Sequence, residues 1–309
     1  MRHWGLVRGA VVAGVLGLVG CGSDGGSSSP STQDFALRFV AVDGTAPVGC
    51  GDTIDGLGPD GQSSVAISDL RFYVSNLQFY DARGRNVAVR LDRNPFQYHS
   101  KAGDVALIDL TGTDAGACAG DGLTYPEGTA RTNDVVTGRA AVGDVARVTF
   151  DVGIPQKVMK QVIADNTAEG APSPLAEMHW SWAFAYRFFV MNFTVTTGGA
   201  PGEGYLHVGS TDCGGDGAKA LTDRDACGKL NTAAVSLDGF DLEADTVAVD
   251  IRALLADLDF TVTTEEVTAP GIECHSFGEA DCTAIFDNLG LDFASGTANA
   301  AANAVFWAK

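Results

Sequence analysis

The sequence predicts a mainly β protein: a single antiparallel β-sandwich-like domain with a few short helices, stapled by disulfides. Three observations lead there. Apolar and polar residues alternate in many short segments divided by Gly/Asp turns, as strands with one buried face require. Six of the 7 cysteines remain once an exported leader is set aside, an even number suited to pairing in an oxidising compartment. Residues 34–309 contain no second low-complexity linker and no internal repeat, so one domain is expected.

The elements follow in order. Arg2 and Arg8 flank the start of an apolar run, Ala10 to Val19, that is too short to span a bilayer comfortably. The run ends in Leu18-Val19-Gly20-Cys21, which reads residues 1–20 as a bacterial lipoprotein signal peptide with Cys21 as the lipidated N-terminus. Gly22 stands where an inner-membrane retention signal would resemble Asp, so the expected location is the outer membrane, periplasmic or on the cell surface. The protein is then anchored to the membrane through lipid rather than inserted in it. Residues 21–33, rich in Gly and Ser, form a flexible tether, and the folded part begins near Asp34.

Strands are expected at Phe35–Val42, Ile67–Phe79, Val87–Leu91, Asp104–Leu110, Arg147–Val152, Val235–Leu237 and Thr246–Ile251. Asp81-Ala82-Arg83-Gly84-Arg85 has hairpin-turn chemistry. Helices are expected at Gln156–Ala164, Ala253–Leu258 and Cys282–Leu289. Met178 to Phe188 reads as one aromatic strand, with Trp180, Trp182, Phe184, Tyr186 and Phe188 on one face and His179 on the other. A bulge would be needed for His179 to share a ligand with the indoles.

Six cysteines allow 15 connectivities. Cys213–Cys227 and Cys274–Cys282 are favoured because they close short loops, and Cys50–Cys118 remains by elimination. The net charge is −19, from 20 basic and 39 acidic residues. Such a balance excludes nucleic acid as a partner and suits solubility or a basic protein partner. No G-x-S-x-G elbow, H-E-x-x-H pair or EF-hand spacing is present, so no enzyme is expected. Asp/Gly clusters around Cys50 and Cys213 read as turns.

The chemistry-bearing stretch is Met178-His179-Trp180-Ser181-Trp182. It holds two of the three Trp beyond the leader, with His207 following in Leu206-His207-Val208-Gly209-Ser210-Thr211-Asp212-Cys213. Imidazole, thioether and indole together suit a soft or borderline redox metal, copper above all. The other histidines are His99, expected in a loop after Pro95, and His275, beside Cys274. The competing interpretation is a structural or adhesive surface lipoprotein whose His and Trp are core residues.

Several segments, taken in order, resemble one family. They include Phe72-Tyr73-Val74-Ser75, Val105-Ala106-Leu107-Ile108-Asp109, Phe150-Asp151-Val152-Gly153-Ile154-Pro155, the Trp-x-Trp stretch, Ala185-Tyr186-Arg187-Phe188, the His207 segment and Cys274-His275-Ser276. The chain from about Phe35 to Leu291 resembles the MbnP-like proteins, also described by a metallo-mystery pair and a four-Cys motif. The resemblance implies a copper-binding protein that is the substrate and partner of a dihaem c-type cytochrome of the MbnH type, related to cytochrome c peroxidases. That partner oxidises a Trp to kynurenine. By the same resemblance Trp180 and Trp182 match the W-x-W motif and His207 its own motif, with Met178, His179 and His275 as further candidate metal ligands. The chain departs from the family where Gln156-Lys157-Val158-Met159 lacks a His, at Ala185 and Arg187, and at His275, where the family tends to have Met.

Overall fold

The computed structural model describes residues 32–111, 132–141, 145–165, 171–181, 185–213, 227–261 and 270–309. In chain order the strands are β1 (Thr32–Asp43), β2 (Ala46–Pro47), β3 (Thr53–Leu57), β4 (Ser63–Asp81), β5 (Asn86–Val87) and β6 (Val89–Leu91). Then come β7 (Gln97–Ser100), β8 (Gly103–Asp109), β9 (Val135–Ala141) and β10 (Val145–Val152). After helix α1 (Gln156–Asp165) and a 3-10 turn (Leu175–Met178) follow β11 (His179–Ser181), β12 (Ala185–Thr197), β13 (Ala200–Gly209), β14 (Ala233–Asp238) and β15 (Val247–Asp250). Helix α2 (Ile251–Leu254), β16 (Gly271–Cys274), α3 (Cys282–Asn288) and β17 (Phe306–Ala308) end the chain.

The smaller sheet runs β17-β15-β1-β9-β6, with β2 on β1. The larger runs β14-β10-β4-β12-β13-β16, with shorter strands added along it. Their inner faces share one apolar cluster, to which β1 gives Phe35, Leu37 and Phe39, β4 gives Leu70, Phe72 and Val74, and β12 gives Phe189, Met191 and Phe193. Phe72 stacks on Phe189 at 5.8 Å and meets Phe39 edge-on at 5.5 Å and Phe306 edge-on at 5.6 Å. Each such ring removed from water contributes about 1.5–3 kcal/mol.

The outer face of the large sheet is covered too. Tyr73, Leu107, Phe188 and Val190 pack there with Val158, Met159 and Val162 of α1 and with Leu175 and Met178. This explains why the middle of β4 is buried at consecutive positions rather than alternate ones: both faces carry load, as in a covered sheet. Tyr73 fixes the cover. Its hydroxyl donates to the Leu175 carbonyl at 2.9 Å and accepts from the Met178 amide at 3.2 Å. The 3-10 turn that leads into His179 and Trp180 is thus tied to the middle of the sheet.

The antiparallel sandwich with short helices is as the sequence predicts, with two parallel pairings added, β1 with β15 and β13 with β16. Four local expectations change. Met178 to Phe188 is not one strand: β11 turns back on β12, pairing His179 with Tyr186 and Ser181 with Ala185, and the register slips at Trp180. No Gly or Pro marks the reversal, so alternation alone hid it. Trp182 lies outside the described residues. The segment Val87–Leu91 divides, because β5 pairs with β4 while β6 pairs with β9 in the other sheet. The helix expected at Ala253–Leu258 sits earlier, at Ile251–Leu254, because Asp250 caps it by accepting from the Ala253 amide. His99 lies in a strand, β7, paired opposite Asp104 of β8.

The disulfides Cys213–Cys227 and Cys274–Cys282 are present. Cys50 is disulfide-bonded as well, and its expected partner Cys118 lies outside the described residues. Among the described residues no helix is long and apolar enough to cross a membrane. Replacing both Cys213 and Cys227 by Ser, which opens a loop of sequence separation 14, is expected to lower the unfolding free energy by about 3 kcal/mol. Urea midpoints measure this, and an unchanged midpoint would show that the loop adds no constraint.

Candidate metal centre

The centre lies on the outer face of the large sheet and follows from the two-residue period of its strands. Directly paired residues of neighbouring strands share a face. Asn192 pairs with Asp69 on one side and Tyr205 on the other, while Val190 pairs with Arg71 and His207. Tyr205 pairs in turn with Glu273 on β16. Val190 belongs to the outer apolar cluster, which fixes the face of the whole set. A polar row, from Asp69 and Arg71 through Asn192 to His207 and Glu273, therefore crosses four strands beside an apolar patch.

His275 follows β16 and completes the row. Its loop is tightly held. Cys274 is bonded to Cys282 at the head of α3. Ser276, at φ +70°, donates from Oγ to the His207 carbonyl at 3.0 Å and accepts there from the Gly209 amide at 3.1 Å. Glu279 accepts from the amides of Phe277 and Gly278. Held in this way, His275 Nδ1 lies 3.0 Å from His207 Nδ1, with ring centroids 4.9 Å apart. His207 Nε2 lies 2.9 Å from Asn192 Oδ1, and His275 Nε2 lies 3.7 Å from Glu273 Oε1. His207 is 2% exposed and His275 7%.

Trp180 roofs the pair. Its ring centroid is 6.2 Å from that of His207 and 5.9 Å from that of His275, and it leans on Phe277 at 5.3 Å. Trp180 is 37% exposed and Phe277 49%. The Arg187 guanidinium sits 5.9 Å from the indole centroid, a cation–π arrangement. Tyr205 stacks on His275 at 6.4 Å and donates its hydroxyl to Glu203.

The electrostatics leave His207 without charge. Burial pushes its imidazole well below the usual histidine range, and Arg187, His275 and Arg71 push the same way. Arg71 donates to both oxygens of Asp69, at 2.7 and 2.5 Å, with both side chains fully buried. Burial raises the Asp69 carboxyl, and Arg71 pulls against that rise. His179, half-buried with its ring against Tyr186 at 5.0 Å, is lowered by burial.

Of the residues expected at the site, the structure brings together His207, His275 and Trp180. Met178 packs into the outer apolar cluster. His179 lies against Tyr186. Trp182 and Cys21 lie outside the described residues. Sequence reasoning missed Asn192, Arg187, Tyr205, Glu273 and the Asp69–Arg71 pair. A period-two signal was present, since Tyr205 and Glu273 each stand two residues before a histidine. Among the described residues no group of three His, Cys, Asp or Glu side chains is arranged to hold a metal ion.

Fold and site together define a disulfide-stapled β-sandwich with a buried imidazole pair beneath a part-exposed indole. The chain belongs to the MbnP family, whose model matches residues 32–276. Among solved structures it is similar to MbnP from Methylosinus trichosporium, at 27% identity and a TM-score of 0.68, covering 90% of this chain and 98% of that one. No curated protein matches the chain.

A buried carboxylate beside the row gives a pH prediction. Asp109, paired opposite Arg71, is raised to about 6 by burial, against the pull of Thr111 and Arg71. The folded state therefore holds this proton more tightly than the unfolded chain, and the group's contribution to stability is lost as pH rises from about 4 to about 6. Asp109→Asn is expected to flatten that slope and to stabilise the protein by about 1–3 kcal/mol at pH 7. Urea denaturation at pH 4.5 and 7 compares the two; equal slopes for parent and variant would remove Asp109 as the cause.

Proposed function

We propose that this chain is a copper-binding accessory lipoprotein, the substrate and partner of a dihaem c-type cytochrome that oxidises Trp180 to kynurenine. One observation carries the proposal: two imidazole Nδ1 atoms 3.0 Å apart under an indole that is 37% exposed. Family membership supports it.

The donor set fits the metal. Two nitrogens that each sit about 2 Å from one ion can lie up to about 4 Å apart, so the observed separation falls within reach. Imidazole suits copper, and an uncharged His207 meets a cation without repulsion. His207 and His275 would hold the ion, with Trp180, or the aniline nitrogen of its kynurenine product, at its side. Copper, when bound, supplies a one-electron redox centre. The protein's own part is to exclude water from the two rings, to fix their orientation and to keep the indole near the surface, where a haem protein can approach. The net charge of −19 favours encounter with a basic partner.

Co-expression with a neighbouring dihaem cytochrome, followed by peroxide, is expected to produce the kynurenine mass change in the peptide spanning residues 178–187. Trp180→Phe should abolish that change, and His207→Ala should abolish copper retention by the purified chain. An unmodified parent peptide, or a His207→Ala chain that keeps its copper, would sink the proposal.

The lipid anchor is tested separately. Cys21→Ala is expected to leave the domain unprocessed or to release it into the soluble periplasmic fraction. A processed variant still pelleting with membranes would show that Leu18-Val19-Gly20-Cys21 is not the anchoring signal.

A further inference from the structure

The buried histidines are each contacted at the nitrogen that faces away from the other ring. His207 meets Asn192 Oδ1 at 2.9 Å and His275 faces Glu273 Oε1 at 3.7 Å. Asn192 and Glu273 are themselves buried. Both occupy positions set by strand alternation, on β12 and β16, which keep them on this face of the sheet.

We infer that Asn192 and Glu273 are positioning residues: Asn192 keeps the His207 proton on Nε2, so that the His207 Nδ1 lone pair faces His275, and Glu273 holds the far side of the His275 ring. The purpose given to them rests on the copper reading of the pair. The argument for Asn192 turns on its amide. Its cross-strand neighbour on one side is Asp69, a carboxylate with only acceptor atoms, and on the other side lies His207. The amide oxygen is the atom that lies against His207 Nε2, at 2.9 Å. An oxygen there accepts only from a protonated Nε2. The Nδ1 of His207 then carries a lone pair aimed at His275 Nδ1, 3.0 Å away. The opposite amide orientation would protonate Nδ1 and point an N–H into the space between the rings. Glu273 faces His275 Nε2 at 3.7 Å, too far for a direct hydrogen bond, and acts on that ring through its charge. Partners of this kind around ligating histidines set tautomer and ring orientation.

The test uses the full chain with ¹⁵N-labelled histidine and Cu(I) as the only added metal. Long-range ¹⁵N–¹H spectra of the metal-free parent are expected to show His207 protonated at Nε2 and not at Nδ1. Asn192→Leu should lose that tautomer bias and bind Cu(I) about 10–100-fold more weakly, as loss of an outer-shell partner does. Asn192→Asp, which keeps an acceptor oxygen, should restore both the tautomer and the affinity. Glu273→Leu should weaken Cu(I) binding likewise, and Glu273→Gln, which removes the charge, should not restore it. A parent with His207 protonated at Nδ1 overturns the inference, and that measurement needs no variant to fold. So does an Asn192→Leu chain that binds Cu(I) as tightly as the parent. A parent that binds no Cu(I) yet shows the Nε2–H tautomer overturns the copper reading and leaves the positioning role of Asn192 supported.

Discussion

A sheet covered on both faces offers no water to the polar groups it carries, so each such group must find its partner inside the protein. The large sheet meets this constraint in part, with a row of paired polar groups. Asp69 and Arg71 form a bidentate pair on β4, Asn192 faces His207 across β12 and β13, and Glu273 lies beside His275. Removing one member leaves the next one buried and unsatisfied, which costs more than the contact itself contributes. The apolar half of the same face, held by Tyr73 and α1, supplies the dry surroundings that make the row matter.

Those surroundings also set the character of the site. Two guanidiniums, Arg71 and Arg187, act on His207, and Arg71 also donates to Asp69 and to the Glu177 carbonyl. In a region of low dielectric the field of a fixed cation is weakly screened. Any ion seated between the imidazoles meets that field, and a doubly charged ion is penalised about twice as heavily as a singly charged one. Burial first, and these positive groups with it, disfavour a proton on His207, so the surroundings that prepare the nitrogen for a ligand also disfavour added charge there.

How much of this was legible beforehand follows the distance over which each feature is encoded. The Asp81–Arg85 turn, the helix at Cys282 and the pairing of Cys213 with Cys227 are local, and their residue types carry the whole signal. The sandwich was legible from alternation in β1, β4 and β10. The histidine pair was not, because His207 and His275 are 68 residues apart and meet only through the parallel pairing of β13 with β16. A crossover between parallel strands leaves no turn motif to read. His275 stood out as a departure from the family pattern, but nothing local named its partner. Trp180 was read on one long strand, since antiparallel pairing of β11 with β12 without Gly or Pro between them looks like a continuing strand.

The parallel docking of β16 has one more consequence. One imidazole comes from the middle of the chain and the other from beyond the last long strand of the sheet. No intermediate lacking β16 can present both. A ligand that requires the two rings together binds only the finished fold, and by mass action it stabilises that state and no earlier one. Loading would thus mark chains whose final edge has closed, making the centre a report on completed assembly. A chain truncated before Gly271 would lack His275 and would be blank to that readout.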